Sequence, residues 1–102
     1  MKMTVDTITP SVAPLVLAKR LDLTEVTALR QSLLDHLDQA ITLDASGVVH
    51  LGGLCLQVLL SAALDQRAAG RALHISPRST AFDSALSSFA VSLGSIQSEI
   101  SQ

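Results

Sequence analysis

Residues 43–60 read LDASGVVHLGGLCLQVLL. Leu43 to Ala45 close an apolar extended run, Ser46-Gly47 mark a turn or bulge, and Val48-Val49 resume the extended chain. Gly52-Gly53 follow, and from Gly53 or Leu54 the sequence is apolar on almost every helical face as far as Ala69, which predicts a helix packed on more than one side. A strand that passes through small residues into a helix, within a short chain, is the mark of an α/β unit.

Working outward, the same alternation repeats. Gly70 predicts a left-handed helix end, Ala72 to Ser76 (ALHIS) a strand broken at Pro77, and Ser79 or Thr80 the cap of a last helix. In that helix Phe82, Ala85, Leu86, Phe89 and Leu93 form the inward stripe, with Gly94 closing it and a polar tail over 95–102. Upstream, Ala40 to Ala45 predicts a strand, and Asp22 or Thr24 caps an amphipathic helix of about four turns whose stripe is Val26, Leu29, Leu33, Leu34 and Leu37. Pro14 to Leu21 reads as a further strand, and Val5 to Thr9 as an edge strand closed by Pro10. The expected fold is a four- to five-stranded mixed, mostly parallel sheet with three main helices. It forms one domain over 1–102, with its core at 13–93.

Composition narrows the function. The chain has 102 residues, 48% of them hydrophobic, with seven basic and nine acidic side chains and no Trp or Tyr. The bases are scattered and stacking aromatics are missing, so a nucleic-acid surface is not expected. Cys55 is the only cysteine, which rules out an internal disulfide and fits a reducing, cytoplasmic setting. The greasy stretch Leu51 to Leu64 falls short of the ~20 residues that cross a bilayer, so membrane insertion is not expected.

Three chemical readings attach to the junction. Cys55 near a helix start could be a thiolate nucleophile if the helix dipole lowered its pKa and a base stood by, with His36, His50 and His74 as the imidazoles available. Buried cysteine packing as a small hydrophobe is the preferred reading. A metal site is disfavoured because these histidines and Cys55 offer no short ligand pair. Gly52-Gly53 could turn amides toward a phosphate, but HLGGLCLQV lacks the rest of a P-loop or a dinucleotide fingerprint. A tight turn that brings helix and strand close is preferred. Asp44 is expected to accept hydrogen bonds from turn amides.

The run LDLTEVTALRQSLLDHLDQAITLDASGVVHLGGLCLQVLLSAALDQRAAGRALHISPRSTAFDSALSSF resembles a STAS domain, the module of bacterial anti-sigma factor antagonists. The likeness rests on the order and spacing of RLDL before the first helix, the LDASGV strand end, LQVLLSAA, RAAGRALHIS and the final amphipathic helix. It implies no catalysis, no cofactor and no metal, and regulation by docking to another protein. In phosphorylated members the loop reads Asp-Ser-Ser-Gly-Leu, and a partner kinase modifies the first serine. Gapless alignment puts Gly52 at that Asp, Gly53 at the phosphoacceptor, Leu54 at the second serine and Cys55 at the glycine.

That departure removes the hydroxyl, so a switch of about two negative charges cannot operate at Gly53. Either binding is constitutive or control lies at Ser46, Ser79 or Thr80, whose turn and cap chemistry is the preferred explanation. The pattern of Gly52, Cys55, Gln57, Val58, Leu59, Ser61, Ala62 and Ala63 is similar to small stand-alone STAS proteins of alphaproteobacterial chemotaxis gene clusters. The resemblance therefore implies a partner that is a chemotaxis histidine kinase, an anti-sigma factor or the ATPase of a lipid-transport ABC complex. The expected partner surface is His50, Gly52, Gly53, Leu54 and Cys55. A small thiol enzyme using Cys55 is the alternative of another class.

Overall fold

The computed structural model describes residues 14–96; the expected edge strand at Val5 to Thr9 and the tail beyond Ile96 lie outside them. The element order is β1 (Leu15–Val16), β2 (Arg20–Leu21), a 3-10 turn (Leu23–Glu25), α1 (Val26–Leu34), β3 (Ile41–Ala45), β4 (His50–Leu51), α2 (Gly53–Ala68), β5 (Leu73–Arg78), α3 (Thr80–Ser88) and the short α4 (Leu93–Ile96). The class is α/β, as the alternation predicts.

The strands form two parallel sheets. One runs β1-β3-β5 and the other β2-β4, and every pairing among the described residues is parallel. The expected single strand from Pro14 to Leu21 is instead split between them. Leu15 and Val16 lie opposite Leu43 and Asp44, whereas Arg20 and Leu21 lie opposite His50 and Leu51. The second extended run also begins later than Val48-Val49: Val48 is a buried turn residue, and the amides of Val49 and His50 both donate to the Lys19 carbonyl.

Strand alternation decides which side faces the helices. Ile41, Leu43 and Ala45 of β3 and Leu73 and Ile75 of β5 are all 2% exposed or less, while His74 and Ser76 between them face solvent. Each of the larger side chains contributes about 1.5–3 kcal/mol by leaving water. The β5 strand continues through Pro77 to Arg78 because the register shifts there: Leu43 faces Ile75, but Ala45 faces Arg78. A bulge is where a residue without an N–H fits a ladder.

The connections β2-α1-β3 and β4-α2-β5 lay α1 beside α2 on the sheet. On α2, Cys55, Leu56, Leu59, Ala62, Ala63 and Gln66 are buried, a stripe at three- and four-residue steps. The helix is not wrapped on all sides, since Leu54 and Leu64 stay 48% and 60% exposed. Gln66 has no exposed surface, and its amide donates to the carbonyls of Gln39 (2.7 Å) and Ala72 (3.3 Å). Arg71 Nε donates to Leu37 O and to Gln66 Oε1, so one polar knot ties the loops leaving α1 and α2. Gly70, at φ 72°, ends α2 in the conformation that glycine adopts without a Cβ clash.

Two helices are shorter than their stripes. The first helix stops at Leu34, and Leu37 packs on the core from the turn that follows. The last stops at Ser88; Ala90 then takes φ 57° and the chain re-enters a helix at Leu93. Phe89 is consequently 44% exposed and not part of the inward stripe, whose buried members are Phe82 and Leu86.

Candidate functional site

The parallel pairing of β2 with β4 sets Arg20 beside His50 and Leu21 beside Leu51. Both strands then leave the sheet at the same end. There the Gly52 amide donates to the Leu21 carbonyl at 2.8 Å, which joins the start of α2 to the turn that opens α1. The cleft between them, about 400 Å³, is lined by residues that include Asp22, Leu23, His50, Gly52, Gly53 and Leu54. Crevices at strand carboxyl ends are the usual binding positions of open α/β sheets.

Gly52 is the N-cap of α2, extended at φ −87° and ψ 166°, with no side chain to cap the helix. A Cβ at this position would stand 3.2 Å from the Leu21 carbonyl oxygen and 3.6 Å from His50 Nε2. The close backbone approach is therefore what glycine permits at residue 52. Gly53, the first residue of α2, is exposed. A Cβ there would meet only the edge of the Phe89 ring, at 3.7 Å, an ordinary contact distance. Neither glycine provides a hydroxyl.

Asp22 organises the opposite wall. Its carboxylate accepts from the Thr24 amide (3.0 Å) and hydroxyl (2.6 Å), capping the 3-10 turn. These two bonds, helped by the charges of Arg20 and His50, hold its pKa below 3.8. Asp44, at the end of β3, accepts from the Ser46 amide at 2.9 Å and hydroxyl at 2.7 Å. Those bonds lower its pKa in the same way, so Asp44 is the turn acceptor expected.

Cys55 lies beneath the bend. It is 1% exposed and its thiol donates to the Asp22 carbonyl at 3.4 Å. Burial first, then the nearby carboxylates of Asp22 and Glu25, push the thiol pKa above 9.0. A nucleophile needs the reverse; Cys55 lines the floor of the cleft while staying almost wholly closed off from solvent. His36 Nδ1 lies 2.7 Å from the Ser32 carbonyl at the end of α1, and His74 is exposed on β5. The three histidines are not brought together, and among the described residues no group of three His, Cys, Asp or Glu side chains is placed to hold a metal.

Of the expected surface residues, the structure thus exposes His50, Gly53 and Leu54, half-buries Gly52 and buries Cys55. It adds Asp22, Leu23, which is 73% exposed, and Phe89. The sequence signals Asp22 only as a helix cap, and it places Phe89 on the inward stripe, not on this surface.

The hydroxyls considered for control are also placed. Ser79 Oγ donates to the Val48 carbonyl at 2.6 Å and accepts from the Phe82 amide at 3.0 Å. Thr80 is exposed at the first position of α3, and Ser46 is exposed with its hydroxyl on Asp44. No described helix is long and apolar enough to cross a membrane.

A family model described as Mlab, STAS domain, matches residues 5–92. No curated protein and no solved structure matches the chain.

Proposed function

Because this chain belongs to the STAS domain family, which makes it a regulatory or protein-interaction module, we propose that it works by docking the exposed bend at Gly52, Gly53 and Leu54 onto another protein. The observation that carries this reading is the start of α2: two glycines and a half-exposed leucine at the carboxyl end of β4, flanked by the exposed side chains of Leu23, His50 and Phe89. Such a surface offers shape, apolar area and backbone amides, and no hydroxyl at residue 53.

The module is accordingly a STAS adaptor that is not switched by phosphate at the usual serine, in a bacterial signalling system of the chemotaxis type and in the cytoplasm. The whole expected domain, 1–102, acts as one unit. Ser79 does not substitute for the missing acceptor, because its hydroxyl proton is committed to Val48 and its oxygen to the α3 cap. The burial and raised pKa of Cys55 weigh against the alternative of a thiol enzyme.

The test is a binding measurement with purified candidates encoded near the gene: a chemotaxis histidine kinase, an anti-sigma factor and a transporter ATPase. Binding to the kinase, weakened at least tenfold by Gly53→Arg with the melting temperature retained, is the expected result. Binding to the anti-sigma factor or the ATPase alone would keep the docking surface and replace the chemotaxis assignment. Binding that ignores Gly53→Arg, or no binding to any of the three, would refute the proposal.

A further inference from the structure

Beside the bend, α1 and α2 leave a groove of about 350 Å³, walled by Val26, Leu34 and Leu37 on one side and Leu54 and Val58 on the other. Leu54 and Gln57 line both this groove and the cleft at the start of α2, so the two form one continuous surface. Leu34 and Leu54 are each 48% exposed, and no described element covers the groove.

Three features identify what fits. First, the walls are helices, whose backbone groups are bonded internally; an extended peptide would find no ladder to join, because strand addition needs a free sheet edge. Second, both helices connect parallel strands of the same sense, so they run side by side in one direction. From Leu54 to Asp65 the groove follows α2 for about 17 Å at 1.5 Å per residue, the length of a three-turn helix. Third, Arg30 and Asp65 line the groove, and neither forms an ion pair among the described residues. Arg30 lies toward the start of the groove and Asp65 at its far end. A second copy pairing through this same face is a poor occupant, since two grooves cannot fill each other.

We propose that the α1–α2 groove receives an amphipathic helix of the partner protein, with leucine-like side chains at i, i+3 or i+4 and i+7, an acidic residue opposite Arg30 and a basic residue opposite Asp65. The inference rests on the reading of the chain as a docking module and specifies the kind of partner segment it takes.

The test uses the full chain and a displayed library of 14-residue helical peptides, followed by amide chemical-shift mapping of the enriched sequences. The expected result is enrichment of the three-anchor apolar pattern with one acid and one base, and shifts concentrated at 26–37 and 54–65. In the double variant Arg30→Glu, Asp65→Arg, the original peptides should bind at least tenfold more weakly and selection should return the inverted charge order. Enrichment of extended patterns, shifts confined to 50–54, no enrichment, an unchanged charge preference, or sedimentation showing that the groove closes on a second copy would each overturn it. Gly53→Arg separates the two proposals: it should abolish capture of the purified partner while leaving these peptides bound. Partner capture that depends on Gly53 but ignores the charge reversal would sink the helix-in-groove inference alone.

Discussion

Replacing Ser79 tests whether one hydroxyl fastens α3 to the β3–β4 turn. In Ser79→Ala the Phe82 amide loses its cap acceptor, worth about 1 kcal/mol. The Val48 carbonyl, on a residue 1% exposed, loses a donor at 2.6 Å, and leaving such a buried acceptor unmatched costs about 1–3 kcal/mol. Together the loss should be about 2–4 kcal/mol. With a urea m-value of about 1–3 kcal/mol/M for a chain of this size, the unfolding midpoint should fall by roughly 0.7 to 4 M. Ser79→Asp separates the two roles: the carboxylate caps the helix at least as well, but it has no proton for Val48 and sets a negative charge against a carbonyl oxygen. It should be no more stable than Ser79→Ala, and Ser79→Thr, which keeps both bonds, should retain most of the stability. A Ser79→Asp protein that unfolds at the wild-type midpoint would refute this reasoning and reopen Ser79 as a phosphorylation site.

Three further measurements follow from the same geometry. Cys55, buried with its thiol pKa raised, should react with iodoacetamide at pH 8 at least 100-fold more slowly in the native protein than in urea; equal rates would contradict the packing. Asp22 and Asp44 have pKa values lowered below 3.8, chiefly by the Thr24 and Ser46 bonds. A depressed folded pKa gives stability that is present above the unfolded pKa and lost as pH falls through the folded one. Melting temperature should therefore be little changed by these groups from pH 7 to about 5 and decline below pH 4, and carbon NMR should show the Asp44 pKa rising in Ser46→Ala. Gln66→Leu strips donors from the Gln39 and Ala72 carbonyls and should cost about 2–3 kcal/mol in a denaturant titration; an unchanged midpoint would show that the knot between the loops is dispensable.

The layered α/β order is legible because apolar periodicity reports burial, and burial alternates differently in strands and helices. It says less about where an element stops. Leu37 continues the stripe of α1 and does pack on the core, but from a turn; Phe89 sits at helical spacing from Phe82 and Leu86, yet α3 has ended. Ala90 gives no warning, since positive φ is a glycine or asparagine habit. The division of Pro14 to Leu21 between two sheets is equally silent, because its alternation is unbroken where the chain changes partners. At the site, Gly52-Gly53 stand out as a doublet before a helix, and the resemblance gives them meaning. What local sequence cannot supply is the opposite wall: Asp22 reaches Gly52 and Cys55 only through the pairing of β2 with β4.

Those pairings are all distant in sequence: Leu15 meets Leu43, Arg20 meets His50, and Ile41 meets Leu73. Among the described residues every partner strand is separated from its mate by a full helical crossover and no hairpin is formed, and pairings of this kind form more slowly than the contacts of helical bundles. A ribosome adding about 5–20 residues each second leaves the segment around Leu15 waiting roughly one and a half to six seconds for Leu43 to be made. During that interval the nascent chain shows apolar strand sequence to the cell, which makes yield in a heterologous host sensitive to translation rate and to holdase chaperones.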